Sequence, residues 1–215
     1  QFIKDGFKFD MGPTWYWMPD VFERFFADFG KKPSDYYQLE RLGPSYRVYF
    51  GEDDFIDISD DLDEIKEVFE KIEPNAGKSL TSFLKKAEKN YDVAIKDLVY
   101  KPGLSPLELV SKKTVFEVPQ FITTIHDVAE KKFKNPKLKQ IIEFPVLFLG
   151  AKPSMTPAFY SFMNFADLSL GTWYPKGGMK SVVDGMIRLA EEMGVHFHTN
   201  SNVSKISLGE DKRVK

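Results

Sequence analysis

Apolar and polar positions alternate along this chain in two rhythms, and the change from one to the other marks out its elements. Phe7-Lys-Phe-Asp10 alternates as a short strand, and Met11-Gly-Pro-Thr14 interrupts it. Val21, Phe22, Phe25, Phe26 and Phe29 then recur at helical spacing up to Gly30. Tyr46-Arg-Val-Tyr-Phe50 and Phe55-Ile-Asp-Ile58 are β-rich runs flanking Gly51-Glu-Asp-Asp54, which predicts an antiparallel hairpin. From Asp61 to about residue 168 the rhythm is helical. Asp61 and Glu64 have capping-box spacing ahead of Leu62, Ile65, Val68, Phe69 and Ile72. Leu80, Phe83, Leu84, Ala87, Tyr91, Ala94, Ile95 and Leu98 form the longest stripe, which Lys101-Pro-Gly103 ends. Shorter helices are predicted over 105–112, 118–131, 136–149 and 155–166, punctuated by prolines at 106, 119, 136, 153 and 157.

The pattern changes again at Gly171-Thr-Trp-Tyr-Pro-Lys-Gly-Gly-Met179. Met179, Val182, Val183, Met186, Ile187, Ala190 and Met193 line one side of a helix that Gly194 stops. Val195-His-Phe-His-Thr-Asn200 and Asn202-Val-Ser-Lys-Ile206 read as two strands about a turn, and Glu210 to Lys215 as part of a hairpin. Strand, glycine turn, helix and strand make an α/β crossover. The expected class is therefore α/β overall and α+β within this stretch, with a helical block inserted between two β-containing segments.

Length and composition narrow the functions. The 215 residues suffice for one or two domains, and a net charge of −2 with both signs interspersed gives no basic footprint, so nucleic acid is not expected as a partner. Cysteine is absent, which removes thiolate metal sites and cysteine nucleophiles and fits a reducing compartment such as the cytoplasm. The longest apolar run, Phe144 to Leu149, is far shorter than the roughly 18 residues that a spanning helix needs. No segment reads as an export signal. The chain starts at Gln1 and ends within the predicted hairpin, which reads as a piece of a longer protein. Its 20 phenylalanines, dense around residues 144 to 165, call for a large core or an apolar ligand.

Candidate chemistry is sparse. His196 and His198 would share a strand face, but no third ligand stands at a helpful spacing, so a half-exposed strand is the better reading and no metal is expected. His126 beside Asp127 reads as a solvated helix face. There is no nucleophile elbow and no phosphate-cradling loop ending in Lys-Ser/Thr. The glycines say more: Gly177-Gly178 before a helix exposes backbone to close approach by a ring system, and Gly12, stiffened by Pro13, does the same after a strand. A tight turn explains either one equally well.

Four stretches taken together, Phe9-Asp-Met-Gly-Pro-Thr-Trp-Tyr16, Lys152-Pro-Ser-Met-Thr-Pro157, Gly171 to Met179 and Gly194-Val-His-Phe-His-Thr-Asn-Ser-Asn-Val203, resemble the bacterial-type phytoene desaturase family in order and spacing. That family lies within the amine-oxidase-like flavoproteins. The resemblance implies a Rossmann-like FAD-binding domain, here residues 1–35 and 171–215, interrupted by a largely helical substrate region at 36–170 with a small antiparallel sheet. It implies FAD near Gly12, Pro13, Thr14, Gly177, Gly178 and Met179, with Val203 meeting adenine through its backbone. The family's pyrophosphate loop would lie before residue 1. The implied reaction moves hydride from an allylic C–H to flavin and introduces conjugated double bonds into a C40 or C30 polyene such as phytoene. The polyene would lie against Phe144, Phe148, Phe159, Phe162, Trp173 and Tyr174, with Phe165 adding to the oily surface.

No catalytic side chain is assigned. Some relatives carry an acid followed three residues on by an arginine at the places of Glu108 and Ser111; here the arginine is missing although Lys112 is adjacent, so Glu108 reads as a surface carboxylate. A lipid-soluble substrate also implies peripheral attachment to the cytoplasmic membrane surface. Lys112, Lys113, Lys131, Lys132 and Lys134, set among Phe116, Phe121 and Phe133, would supply it. Other readings are a carotenoid isomerase, a retinol saturase-like enzyme, an amine oxidase relative, or a helical lipid-binding module without catalysis.

Overall fold

The computed structural model describes residues 2–102, 104 and 118–214. The predicted helix over 105–112 falls outside them, as do Glu108, Ser111, Lys112, Lys113 and Phe116.

Most of the core lies in the helical block. Helix α2 (Leu62–Ile72) starts where Asp61 accepts from the Asp63 amide at 2.7 Å. Glu64 does not return the bond; it accepts from the Ser59 hydroxyl at 2.6 Å, so only half of the expected capping box forms. Helix α3 (Ala76–Lys96) presents Leu80, Phe83, Leu84, Ala87 and Tyr91 inward as its stripe predicts, packing on α2 and α7 (Phe162–Leu168).

The expected helix over 118–131 splits into α4 (Val118–Ile122) and α5 (Ile125–Lys132). At the break Thr124 caps α5 in a reciprocal box with Asp127, and backbone bonds run from Ile125 to Thr156 and from Ala158 to Thr123. Over 136–149, α6 (Pro136–Glu143) gives way to a 3-10 stretch at Phe144–Leu149, because Pro145 has no amide hydrogen to continue the ladder. Pro157 likewise breaks the next predicted helix into short 3-10 turns ahead of α7.

Two apolar clusters result. Phe69, Ile125, Phe133, Leu138, Ile141 and Ile142 anchor the larger one. Each such buried side chain contributes about 1.5–3 kcal/mol relative to exposure. The smaller gathers Tyr91, Ala94 and Phe159, with Phe121, Phe162 and Phe165 packed against them. Two expectations change as a result. Phe133 is 1% exposed, so it is not a surface aromatic available to lipid, and Phe121 is half-buried, stacked on Phe159 at 4.6 Å. Phe159 is buried in this cluster, and Phe162 packs half-buried against it.

Every paired strand among the described residues is antiparallel. Strands β1 (Phe2–Lys4) and β2 (Phe7–Phe9) form a hairpin about Asp5-Gly6, where both φ angles are positive. The predicted hairpin is β4 (Tyr46–Tyr49) with β5 (Phe55–Ile58). Strand β3 (Leu39–Arg41) pairs with β6 (Trp173–Pro175), which brings the first segment against the one after the helical block.

The second half of the expected crossover does not form. Helix α8 (Lys180–Glu192) follows the glycine turn, but residues 195–207 run on exposed and without strand pairing. Val195 and Phe197 alternate correctly for a strand. A strand also needs a neighbour for its amides, and no described residue supplies one. Leu208 and Val214 bridge as the last hairpin predicts. On α8 the buried stripe is Val182, Gly185 and Leu189, whereas Val183 and Met193 face solvent. The helix is turned because Tyr36 and Tyr37 come in at Gly185, where a β-carbon would lie 2.9 Å from Tyr37 Cδ1. The observed class among the described residues is α+β.

Candidate functional site

Asp10, at the end of β2, reaches the start of α8. Its Oδ2 accepts from the Met179 amide at 3.1 Å and from the Tyr174 hydroxyl at 3.2 Å. A carboxylate suits this place, because the first amides of a helix lack internal partners and carry partial positive charge. The Tyr174 phenol is raised by partial burial and by the Asp10 charge. Tyr16 and Trp173 exchange two backbone bonds, at 2.8 and 3.0 Å, so residues 10–17 lie along 173–179. The loop carrying Gly12, Pro13 and Thr14 is thereby joined to the turn carrying Gly177, Gly178 and Met179.

The turn requires its glycines. Gly177 and Gly178 have φ of 92° and 93°, a region that L side chains rarely adopt. A β-carbon on Gly178 would sit 3.3 Å from Asp10 Oδ2 and 3.6 Å from the Tyr174 hydroxyl. At Gly177 and at Gly12 it would meet nothing within 4 Å. The backbone at both positions fronts open space, as a flat ring system approaching it requires.

Beside Thr14 opens a cavity of about 610 Å³, within the size range of small-molecule sites. Trp15, Trp17, Tyr46, Val48, Phe144 and Leu147 supply its apolar lining. Phe148 adds to the wall, its ring 4.9 Å from Trp15, 5.4 Å from Trp17 and 5.1 Å from Phe144. Trp15 and Trp17 share this face because residues two apart on extended backbone point the same way, while Tyr16 between them is buried and bonds to Tyr37 at 2.9 Å.

Charges at the cleft are already paired. Arg47 holds Asp57 at 2.6 Å, and Glu143 holds His126 Nδ1 at 2.6 Å, which raises the imidazole. Such a wall offers burial and ring contact rather than charge.

Behind the wall, Tyr46 donates to Asp167 Oδ2 at 2.5 Å, and Trp17 Nε1 donates to Thr172 Oγ1 at 2.9 Å. Burial pushes the Asp167 carboxyl up to about 7, although the Tyr46 and Thr172 hydroxyls pull it down.

Of the residues that the sequence singled out, the structure groups Gly12, Pro13 and Thr14 with Gly177, Gly178 and Met179 at the seam, and Phe144 with Phe148 at the cleft. Phe159 and Phe162 lie in the second apolar cluster. Trp173 packs with Tyr16, donates to the Leu170 carbonyl at 3.0 Å and lies under the Arg41 guanidinium, so it belongs to the seam with Tyr174. Val203 is 76% exposed in the unpaired segment, as are His196 and His198. No group of three or more metal-ligating side chains occurs among the described residues. Asp10, Trp15, Trp17, Tyr46, Asp167 and Thr172 were not foreseen. The Trp-Tyr-Trp alternation was the one available signal for the tryptophans; the others come from residues far apart in sequence.

Comparison with known proteins adds context. A family model described as flavin containing amine oxidoreductase matches residues 1–215. A carotenoid 3,4-desaturase from Haloarcula japonica is 45% identical over 206 residues, 94% of this chain and 42% of that protein. A 4,4'-diapophytoene desaturase (4,4'-diaponeurosporene-forming) from Staphylococcus aureus is 32% identical over 210 residues, 97% of this chain and 42% of that protein. The chain spans about two fifths of the length of these curated relatives.

Proposed function

The chain belongs to the flavin-containing amine oxidoreductase family, and from that premise we propose that the protein carrying it is an FAD-dependent carotenoid desaturase. The observation that carries this reading is the placement of an aromatic cleft next to a seam of bare backbone, with Thr14 common to both. Residues 1–35 and 171–215 would serve the flavin and residues 36–170 the substrate, the β3–β6 pairing joining the two.

The seam fits a flavin. Gly12 and Gly177 leave open backbone, Pro13 and Thr14 complete one side, and Gly178 with Met179 completes the other. Val203 would meet the adenine end through its main chain. Bound flavin would supply the hydride acceptor for an allylic C–H. The chain's own residues do the rest: Asp10 fixes the glycine turn, while Phe144, Phe148, Trp15, Trp17 and Tyr46 hold and orient a polyene and keep water away. No side chain is assigned to the chemical step.

A membrane-surface location follows from the substrate's solubility. In support, Ile122, Leu147, Leu149 and Met155 are exposed in the helical block, which also carries Lys131, Lys132 and Lys134. No helix among the described residues is long and apolar enough to cross a membrane.

A related flavin oxidoreductase is the second reading. An amine substrate would call for an unpaired acid beside its cation, and the cleft's Glu143 is committed to His126. The deciding experiment is purification of the full-length protein, followed by its absorption spectrum and assay on a panel of polyenes and amines. Stoichiometric flavin with turnover of polyenes alone supports the proposal. Colourless protein would mark a lipid-binding module, and turnover of amines a different oxidase.

A further inference from the structure

Asn164 and Asp167 both face inward from α7, and their three-residue spacing sets them on one helix face. Each is half satisfied. Asn164 Nδ2 donates to the Ile142 carbonyl at 2.8 Å, and Asp167 Oδ2 accepts from Tyr46, yet the Oδ1 atoms of both residues are buried without a hydrogen-bond partner. Unpaired acceptors are costly in a medium that excludes water. A single proton resolves both.

We propose that Asp167 is held as a neutral carboxylic acid, donating from Oδ1 to Asn164 Oδ1 while accepting at Oδ2 from Tyr46, and that this bridge positions the inner wall of the cleft. Asp167 is thus a positioning residue. It acts through Tyr46, whose ring lines the cavity 5.6 Å from Phe144, and through Thr172, which anchors Trp17.

The surroundings favour the neutral form. The titratable side chains that the described residues pack on α7 are phenols: Tyr46 from β4, Tyr91 from α3, whose ring lies 5.3 Å from Phe165, and Tyr160, whose ring lies 5.5 Å from Phe162. The nearby cleft charges, Arg47 and Glu143, are engaged with Asp57 and His126. No cation contributes to the titration of Asp167, and burial raises its carboxyl towards neutrality. Loss of the proton would leave a buried charge facing the Asn164 oxygen and competing for both wall hydroxyls. The consequence is looser polyene binding at alkaline pH, with the chemical step unchanged.

This role rests on the cleft being the polyene site, whereas the protonation state does not, and the test separates them. In the full-length wild-type protein, infrared difference spectra between pH 6 and 8 should show a protonated carboxylic carbonyl band that fades as pH rises; a carboxylate throughout that range overturns the proposal whether or not any variant folds. Asp167→Asn keeps both bonds in permanently neutral form. It should abolish the band, keep kcat, and remove a several-fold alkaline rise in KM for the polyene. Tyr46→Phe should raise KM several-fold at all pH values with kcat unchanged. If Asp167→Asn instead eliminates turnover at unchanged KM, Asp167 works as an ionised base and the proposal fails. A titrating band with no pH dependence of KM would retain the neutral acid and reject the cleft reading.

Discussion

In the helical block, Phe69, Ile125, Leu138 and Ile142 are fully enclosed, and the long helices α2 and α3 pair most of their own backbone. At the seam between residues 10–17 and 173–179, the chain is held by one carboxylate, a few backbone bonds and two glycines in left-handed conformations. The block tolerates change at its surface and fails when its interior is emptied. The seam packs on a smaller cluster about Tyr16, Tyr37 and Trp173; what it adds is the geometry of exposed backbone. Stability and activity should therefore respond to different substitutions.

The largest loss of stability is expected in the block. Phe69→Ala should cost about 3–5 kcal/mol through the cavity it leaves, read from denaturant midpoints, with normal turnover at temperatures where the variant stays folded. Lost activity in fully folded protein would break the comparison.

Gly178→Val reverses the pattern. The side chain meets Asp10 Oδ2 in a backbone conformation that valine resists, so flavin-dependent turnover should fall by about 100-fold or more, at a stability cost of about 1–3 kcal/mol. Kinetics and flavin content of the purified variant test this together.

Asp167 gives a pH signature. Its carboxyl is raised to about 7 in the folded protein, so the folded state retains a proton that the unfolded chain releases near pH 4. The stabilisation is complete below about pH 4 and is lost as pH rises to about 7, beyond which it no longer changes. Denaturation of wild type and Asp167→Asn between pH 4 and 8 should show this slope only in wild type, worth a few kcal/mol across the window.

Replacing Lys112, Lys113, Lys131, Lys132 and Lys134 with glutamine should weaken flotation with anionic liposomes severalfold and leave stability within about 1 kcal/mol. Equal recovery at every lipid composition would remove the membrane role. The smallest effect belongs to Val203→Ala, which leaves the main chain in place and should alter flavin retention by less than about twofold.

Helical periodicity made the long stripes of α2 and α3 readable, because a helix pairs its backbone within itself and the sequence records only which face is apolar. Breaks at Thr124 and Pro145 were harder to place: the first depends on a bridge to Pro157, and the second on how far a proline disturbs a helix already begun. Residues 195–207 show the limit in the other direction, since alternation at Val195 and Phe197 is present but pairing needs a partner that local pattern does not reveal. At the site, the glycine turn and the Gly-Pro-Thr loop were legible as motifs, and their meeting through Asp10 was not. Phenylalanine density likewise pointed to an oily region without separating the cleft residues Phe144 and Phe148 from Phe159 and Phe162 in the second cluster.

The central claim is tested most directly by the product spectrum when the full-length gene is expressed in a host that accumulates phytoene. The account predicts conversion to longer polyenes with visible absorption bands, retained in Phe69→Ala grown at low temperature and absent in Gly178→Val. Unchanged phytoene, together with unchanged polyene in hosts that accumulate longer conjugated or C30 carotenes, from a folded, flavin-loaded protein would contradict it.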